Sequence, residues 1–297
     1  MDLETTKKKF HEHVKRLQDQ ITQEMLRLDP SLKITEDLWD RMDHSGKPGG
    51  GGITRAFTGD LFENAGVNTS CVFGAIDPKF AEVMPGTGSN MWAAGISLIL
   101  HPRNPKIPTV HANFRMIHQG LKTWFGGGAD LTPYYPFEED FSYFHGVWKQ
   151  ALEPYGTYPT MKKTCDEYFN NAHRGVEMRG IGGIFFDHYG TDSIDEDFKM
   201  VKNLSENFIP SYFPIVTKRM NEKWSSEDED FMLHRRGRYV EFNLLHDRGT
   251  LFGLKTNGRV DSILISLPGR CKYSYSYKPK AGSLYEKMWG YYQPRDW

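Results

Sequence analysis

The chain has 297 residues, a formal net charge of -1, 38% hydrophobic and 25% charged residues. That composition describes an ordinary globular chain long enough for a buried core, and it excludes the basic excess of a general nucleic-acid binder. Cys71, Cys165 and Cys271 form neither a disulfide framework nor a Cys-x-x-Cys metal pair, which points to a reducing compartment.

Met1 to Lys9 is charged and lacks the apolar run of a secretory signal. No stretch approaches 18 uninterrupted apolar residues, so no membrane span is expected and a cytoplasmic location follows. Phe10, Val14, Leu17, Ile21 and Met25 recur at helical spacing, and Asp29-Pro30 ends that helix. Strands are expected at Gly52 to Phe57, Gly66 to Ala75, Ala94 to His101, Val110 to Ile117 and Ile181 to Asp187. Three more are expected at Arg238 to Leu245, Leu251 to Lys255 and Asp261 to Leu267, joined by turns at Asp247-Arg248-Gly249 and Asn257-Gly258. Between them, Phe141, Phe144, Trp148 and Leu152 mark a helix opened by Glu138 to Asp140. Met161 to Ala172, Asp195 to Phe208 and Ser211 to Asn221 read as further helices, the last two separated by Pro210. Runs of strands alternating with runs of helices give an α+β fold with a mostly antiparallel sheet. With no repeat or linker, residues 1–297 read as a single domain.

The chemistry sits on alternating strand positions. Between Thr109 and Ile117, Val110, Ala112, Phe114 and Met116 point one way, while His111, Asn113 and Arg115 point the other. A His, an amide and an Arg spaced two apart suit a wall that receives an anion. Ser97 and His101 repeat the pattern, as do Tyr239, Glu241, Asn243 and Asp247; satisfied hydrogen bonds on a half-exposed sheet are the plainer reading of each single residue. His101, His111, His145 and His173 can each be a core or surface residue, and no pair shows local metal-ligand spacing. His111 is the best placed for proton transfer near neutrality. Gly49 to Gly52, Gly126 to Gly128 and Gly180 to Gly183 fit neither a P-loop nor a dinucleotide fingerprint; the first run reads as a mobile loop. Asp130, just beyond the second, is either a ligand acceptor at the lip of a glycine turn or a plain turn residue.

At these residues the chain resembles the oxygen-dependent coproporphyrinogen III oxidase family. The matching text includes Trp124-Phe125-Gly126-Gly127-Gly128-Ala129-Asp130-Leu131-Thr132-Pro133, Ala172-His173-Arg174-Gly175, and Arg179-Gly180-Ile181-Gly182-Gly183-Ile184-Phe185-Phe186-Asp187. It continues through residues 235–244, Asp247-Arg248-Gly249-Thr250 and the terminal Pro294-Arg295-Asp296-Trp297. His246 departs from the family pattern, which has Tyr or Trp there.

The resemblance implies a large flat antiparallel sheet of about seven strands between layers of helices, and a homodimer with its contact around Tyr239 to Tyr275. It implies oxidative decarboxylation of two propionates of coproporphyrinogen III to vinyl groups, giving protoporphyrinogen IX in haem biosynthesis, with molecular oxygen as co-substrate, carbon dioxide and hydrogen peroxide released, and no organic cofactor. Substrate contacts carry over to Ser97, to Asn113, Phe114 and Arg115, and to Asn257, Gly258 and Arg259. His111 carries over as proton donor, and His101, His111, His145 and His173 as ligands of a divalent metal. Beside these, Asp130 is expected to accept pyrrole N–H bonds, with Asp247 and Arg248 shaping the same wall. Two other classes use the same residues differently: a metal-dependent hydrolase that needs no oxygen, and a non-catalytic tetrapyrrole carrier.

Overall fold

The computed structural model describes residues 2–255 and 258–297, apart from the side chains of Phe252 and Lys255. Its centre is one sheet whose strands lie in chain order and pair antiparallel throughout. They are β1 (Lys33–Met42), β2 (Pro48–Thr58), β3 (Phe62–Ala75), β4 (Asn90–Pro102), β5 (Thr109–Gln119), β6 (Lys122–Thr132) and β7 (Gly183–Tyr189). The helices are α1 (Leu3–Leu28), α2 (Pro78–Ala81), α3 (Glu138–Leu152), α4 (Tyr158–Tyr168), α5 (Ile194–Glu206), α6 (Phe208–Arg219), α7 (Ser226–Leu245), α8 (Arg248–Lys255), α9 (Val260–Leu264) and α10 (Leu284–Trp289). Among the described residues, no helix is long and apolar enough to cross a membrane.

One face of the sheet is the main core. The Asp2 carboxylate caps α1 by accepting the Thr5 N–H, and Phe10, Val14, Leu17, Ile21 and Met25 form the buried stripe of that helix. The stripe meets Val110, Ala112, Phe114 and Met116 of β5 and Phe125 of β6 in one cluster. Gln18, buried beside that stripe, crosses to the sheet and donates to the carbonyls of Ile53 and Val67, so its side-chain amide is satisfied.

The other face carries the small and polar residues, under α7, α8 and α9. Here the sequence expectation needs correction: residues 238–245, 251–255 and 261–264 are helical, not strands. Val240, Phe242 and Leu244 alternate, yet only Phe242 is buried, and Leu244 is 41% exposed. The buried set Phe231, Arg235, Tyr239 and Phe242 has helical spacing. Ser225 and Asp228 form a capping box at the start of α7, well before the residues in which alternation seemed visible. At the far end the Asp247 carboxylate accepts the Thr250 N–H and starts α8 where a hairpin turn was expected. The Asn257 half of the second expected turn lies outside the described residues. α9 seats on the sheet through Ile265, whose side-chain carbons lie 2.9 Å from where a Cβ on Gly66 would be.

Two strands carry no clear signal in the sequence. β1 is an edge strand, largely exposed. β6 contains Gly126 to Gly128 in mid-strand, paired to Arg115, Phe114 and Asn113 of β5. Gly49 to Gly52 are likewise part of β2 rather than a loop.

Candidate active site

Antiparallel partners project to the same face, and the register therefore assembles the site. His111 pairs with Asp130, Asn113 with Gly128, and Arg115 with Gly126 across β5 and β6. Ser97 of β4 pairs with Asn113 on one side and Asn68 on the other. Together with residues of α7, α8 and α9 these strands line a cavity of about 1560 Å³, larger than the roughly 300–1,000 Å³ usual for small-molecule pockets. Ser97, His111, Asn113, Arg115, Asp247, Arg248, Gly258 and Arg259 all line it. Phe114 faces the core on the opposite side of the sheet, fully buried, and Asn257 lies outside the described residues.

The glycines of β6 make a floor rather than a turn. The Arg115 guanidinium lies flat on Gly126: a Cβ there would sit 2.8 Å from Nε and Nη2. Arg115 donates to Asn113 Oδ1 at 2.7 Å and to Asp187 Oδ1 at 2.9 Å. Burial disfavours the Asp187 anion, but the Arg115 charge and hydrogen bond, together with the His188 and Arg248 charges, outweigh it and hold the carboxyl below its ordinary value. Gly126→Ala is expected to lower kcat/KM about tenfold by displacing this guanidinium while leaving the thermal midpoint nearly unchanged, because the obstructed atoms are the end of a flexible side chain. Gly128→Ala should instead fail to fold well, since its Cβ would lie 2.3 Å from the Ile184 carbonyl oxygen. Thermal melts beside steady-state assays separate the two outcomes.

At the β7 end, Arg248 Nη2 reaches Asp187 Oδ2 at 3.4 Å and lies over the Tyr168 ring at 4.8 Å. Burial and then the Asp247 charge push the Tyr168 phenol up to about 12, so its hydroxyl donates to Asp247 Oδ1 at 2.9 Å. Tyr168 stacks on Phe185, and Phe169 and Phe242 close the cluster, giving Asp247 an apolar wall. At the β1 end Arg259 pairs with Asp37.

Asp130 is not at the cavity surface. It is 1% exposed beneath His111, whose Nδ1 lies 2.9 Å from Oδ1. Arg179 donates to both carboxylate oxygens, Nε to Oδ2 at 2.9 Å and Nη2 to Oδ1 at 2.7 Å. Burial opposes ionisation of Asp130, but the Arg179 charge and the His111 contact outweigh it and hold the carboxyl below the usual range. The expected pyrrole acceptor is therefore sealed behind a histidine. Arg179, Asp187 and Tyr168 sit in the matching text or its surroundings, but only their contacts mark them as site residues.

The family model described as coproporphyrinogen III oxidase matches residues 9–297. The chain belongs to the coproporphyrinogen III oxidase family. It is also similar to a protein of Francisella philomiragia subsp. philomiragia named oxygen-dependent coproporphyrinogen-III oxidase, with 43% identity over 300 residues that cover 97% of each chain.

The four histidines expected to share a metal in this coproporphyrinogen III oxidase family member do not fit one ion. His101 is buried between Thr109 Oγ1 at 3.1 Å and the Ser266 carbonyl at 3.0 Å. His145 is buried between the Tyr158 hydroxyl at 3.0 Å and the Ile181 carbonyl at 3.1 Å. His173 lies at the surface, with Nδ1 2.7 Å from His246 Nε2 and Nε2 3.2 Å from Glu241. His246 stacks on it, the packing an aromatic ring at that position would give. Among the described residues no group of three or more His, Cys, Asp or Glu side chains is placed to hold a metal ion.

Proposed function

We propose that the chain is an oxidoreductase that decarboxylates two propionates of coproporphyrinogen III to vinyl groups, giving protoporphyrinogen IX for haem biosynthesis, with molecular oxygen as acceptor. The observation that carries this reading is the convergence of Arg115, Arg248, Arg259, His111 and Asp247 on one large cavity. A tetrapyrrole with four propionates needs separated cationic anchors and a roomy, partly apolar cleft. Arg115 and Arg259 each pair with an aspartate, Asp187 and Asp37. A propionate offers the guanidinium fork a carboxylate of the same kind, which the fork can hold through two N–H groups.

For each propionate, the electrons of the bond to the departing carboxylate become the vinyl π bond. The carbon next to the ring loses a hydrogen with its electron pair; oxygen takes that pair and one further proton, and leaves as hydrogen peroxide beside carbon dioxide. The Asp247 carboxylate faces the cavity and accepts a pyrrole N–H, which makes the ring electron-rich toward oxygen. His111 Nε2 handles the proton. The remaining residues orient the substrate and keep the site dry. Because the four histidines do not converge, no step is routed through a metal.

Aerobic incubation with coproporphyrinogen III is expected to yield carbon dioxide, vinyl product and consumed oxygen in equal amounts. Decarboxylation that persists without oxygen would overturn the reading, and binding without carbon dioxide would make the chain a carrier.

We further read the protein as a cytoplasmic homodimer. Cys71, Cys165 and Cys271 are all free, which suits a reducing compartment. Leu245, Val260, Tyr273 and Tyr275 expose apolar surface within the expected contact region. Tyr239, at its margin, is buried against Arg179 and takes no part.

A further inference from the structure

We propose that Arg179 is a positioning residue for His111, acting through Asp130: its guanidinium fixes the plane of the buried carboxylate, which in turn fixes one tautomer and one ring orientation of the histidine. This rests on the reaction proposed above. The geometry supports each link. Arg179 and Asp130 are each 1% exposed, and the two N–H···O contacts between them are the parallel pair of a fork on a carboxylate. The guanidinium cannot swing away, because it is packed over the rings of Phe169 at 4.0 Å, Tyr239 at 4.6 Å and Phe242 at 4.9 Å. A third tie runs from Nη1 to Asn243 Oδ1 at 3.2 Å, and Asn243 in turn donates to the Tyr239 carbonyl.

The consequence falls on His111. An ionised Asp130 can only accept, so the 2.9 Å contact requires Nδ1–H to donate. In the neutral ring Nε2 is then the nitrogen that carries the lone pair, on a ring that lines the cavity. A carboxylate pinned on two sides allows no rotation that would release the imidazole. The Phe169 ring, edge-on at 5.9 Å, backs the other flank. A buried carboxylate beside a histidine would otherwise carry an uncompensated charge; Arg179 neutralises it without touching the cavity, which it does not line.

Arg179→Lys keeps the charge and loses the fork. With coproporphyrinogen III under air, it is expected to lower kcat about tenfold to a hundredfold, the range for small misplacements of a reacting group, with KM within about twofold. Asp130→Asn should do the same, and the double variant should be no worse than the poorer single one. A twofold or smaller loss of kcat in Arg179→Lys, a loss carried by KM, or additive losses would overturn the proposal. Should the variants fold poorly, nitrogen NMR of the wild-type protein still decides: His111 is expected as the Nδ1–H tautomer, and an Nε2–H signal would refute it. Wild-type protein that does not turn over the substrate at all would instead count against the proposed reaction, and the NMR result would stand apart from that failure.

Discussion

Arg115→Ala is expected to lower kcat/KM for coproporphyrinogen III by about two to three orders of magnitude. Removing one partner of a hydrogen-bonded charge pair in a site costs about 2–5 kcal/mol, and each 1.4 kcal/mol is a factor of ten in rate. Two ligand-independent features make the upper part of that range the expectation. Asn113 and Asp187 hold the guanidinium in one pose over Gly126, so little ordering remains to be done when a carboxylate arrives. Without Arg115, Asp187 loses its closest cation and keeps the His188 backbone N–H at 3.0 Å and the 3.4 Å contact to Arg248, and its negative charge then faces an anionic substrate. Arg115→Lys should fall between the two, retaining charge and losing the fork. Replacing Lys199, an exposed lysine paired with Glu196 on α5, should leave turnover unchanged. Steady-state assays of the three variants test the anchor, and wild-type kcat/KM in Arg115→Ala would remove it from the site.

Much of this site was legible because β5 writes its two faces directly into the alternation of Val110 to Met116. α1 was legible for the same reason at helical period. What the sequence concealed has physical causes. β1 is an exposed edge with no core-facing stripe, so nothing marks its period. Glycine in mid-strand is unfavourable by propensity, yet each glycine of β6 leaves room for a different neighbour: Gly126 for the Arg115 guanidinium, Gly127 for the Asn113 carbonyl and the Phe114 ring, and Gly128 for the Ile184 carbonyl. α7 hid its core face behind Arg235 and Arg236, both fully buried. Arg235 is neutralised by Glu177 and Arg236 by Glu63, partners 58 and 173 residues away along the chain. Arg179 was invisible on the same ground: a buried arginine has meaning only with its acid, and Asp130 arrives from β6 while Arg179 lies in the segment before β7. Local pattern reports which face a residue takes; it does not report which distant charge it meets.

The folded protein should lose stability steeply between about pH 6.5 and pH 4.5. His101 and His145 are 0% and 1% exposed, and both use a carbonyl as one partner, so each donates one N–H and accepts from a hydroxyl on the other nitrogen as a neutral ring. Burial, aided by the Arg236 charge at His101 and the Lys162 charge at His145, lowers both to about 3 from an ordinary 6.5. Above pH 6.5 both states are neutral and nothing is lost. Below it the unfolded chain takes a proton on each ring that the folded state refuses, so stability falls as pH falls, until the folded rings titrate near 3. Each histidine contributes a slope of about 1.4 kcal/mol per pH unit, so the pair removes roughly 5 kcal/mol by pH 4.5, comparable to the whole stability of many domains. His13, lowered to about 4 by burial, adds in the same direction. The ionised carboxylates cannot produce this window, because the lowered values of Asp130 and Asp187 place their loss below the ordinary carboxylate range. Urea midpoints measured from pH 7.5 to 4.5 should trace the decline, and His145→Gln should remove about one proton from its slope. A midpoint that stays flat across that interval would mean that these rings are charged in the folded state or reachable by water.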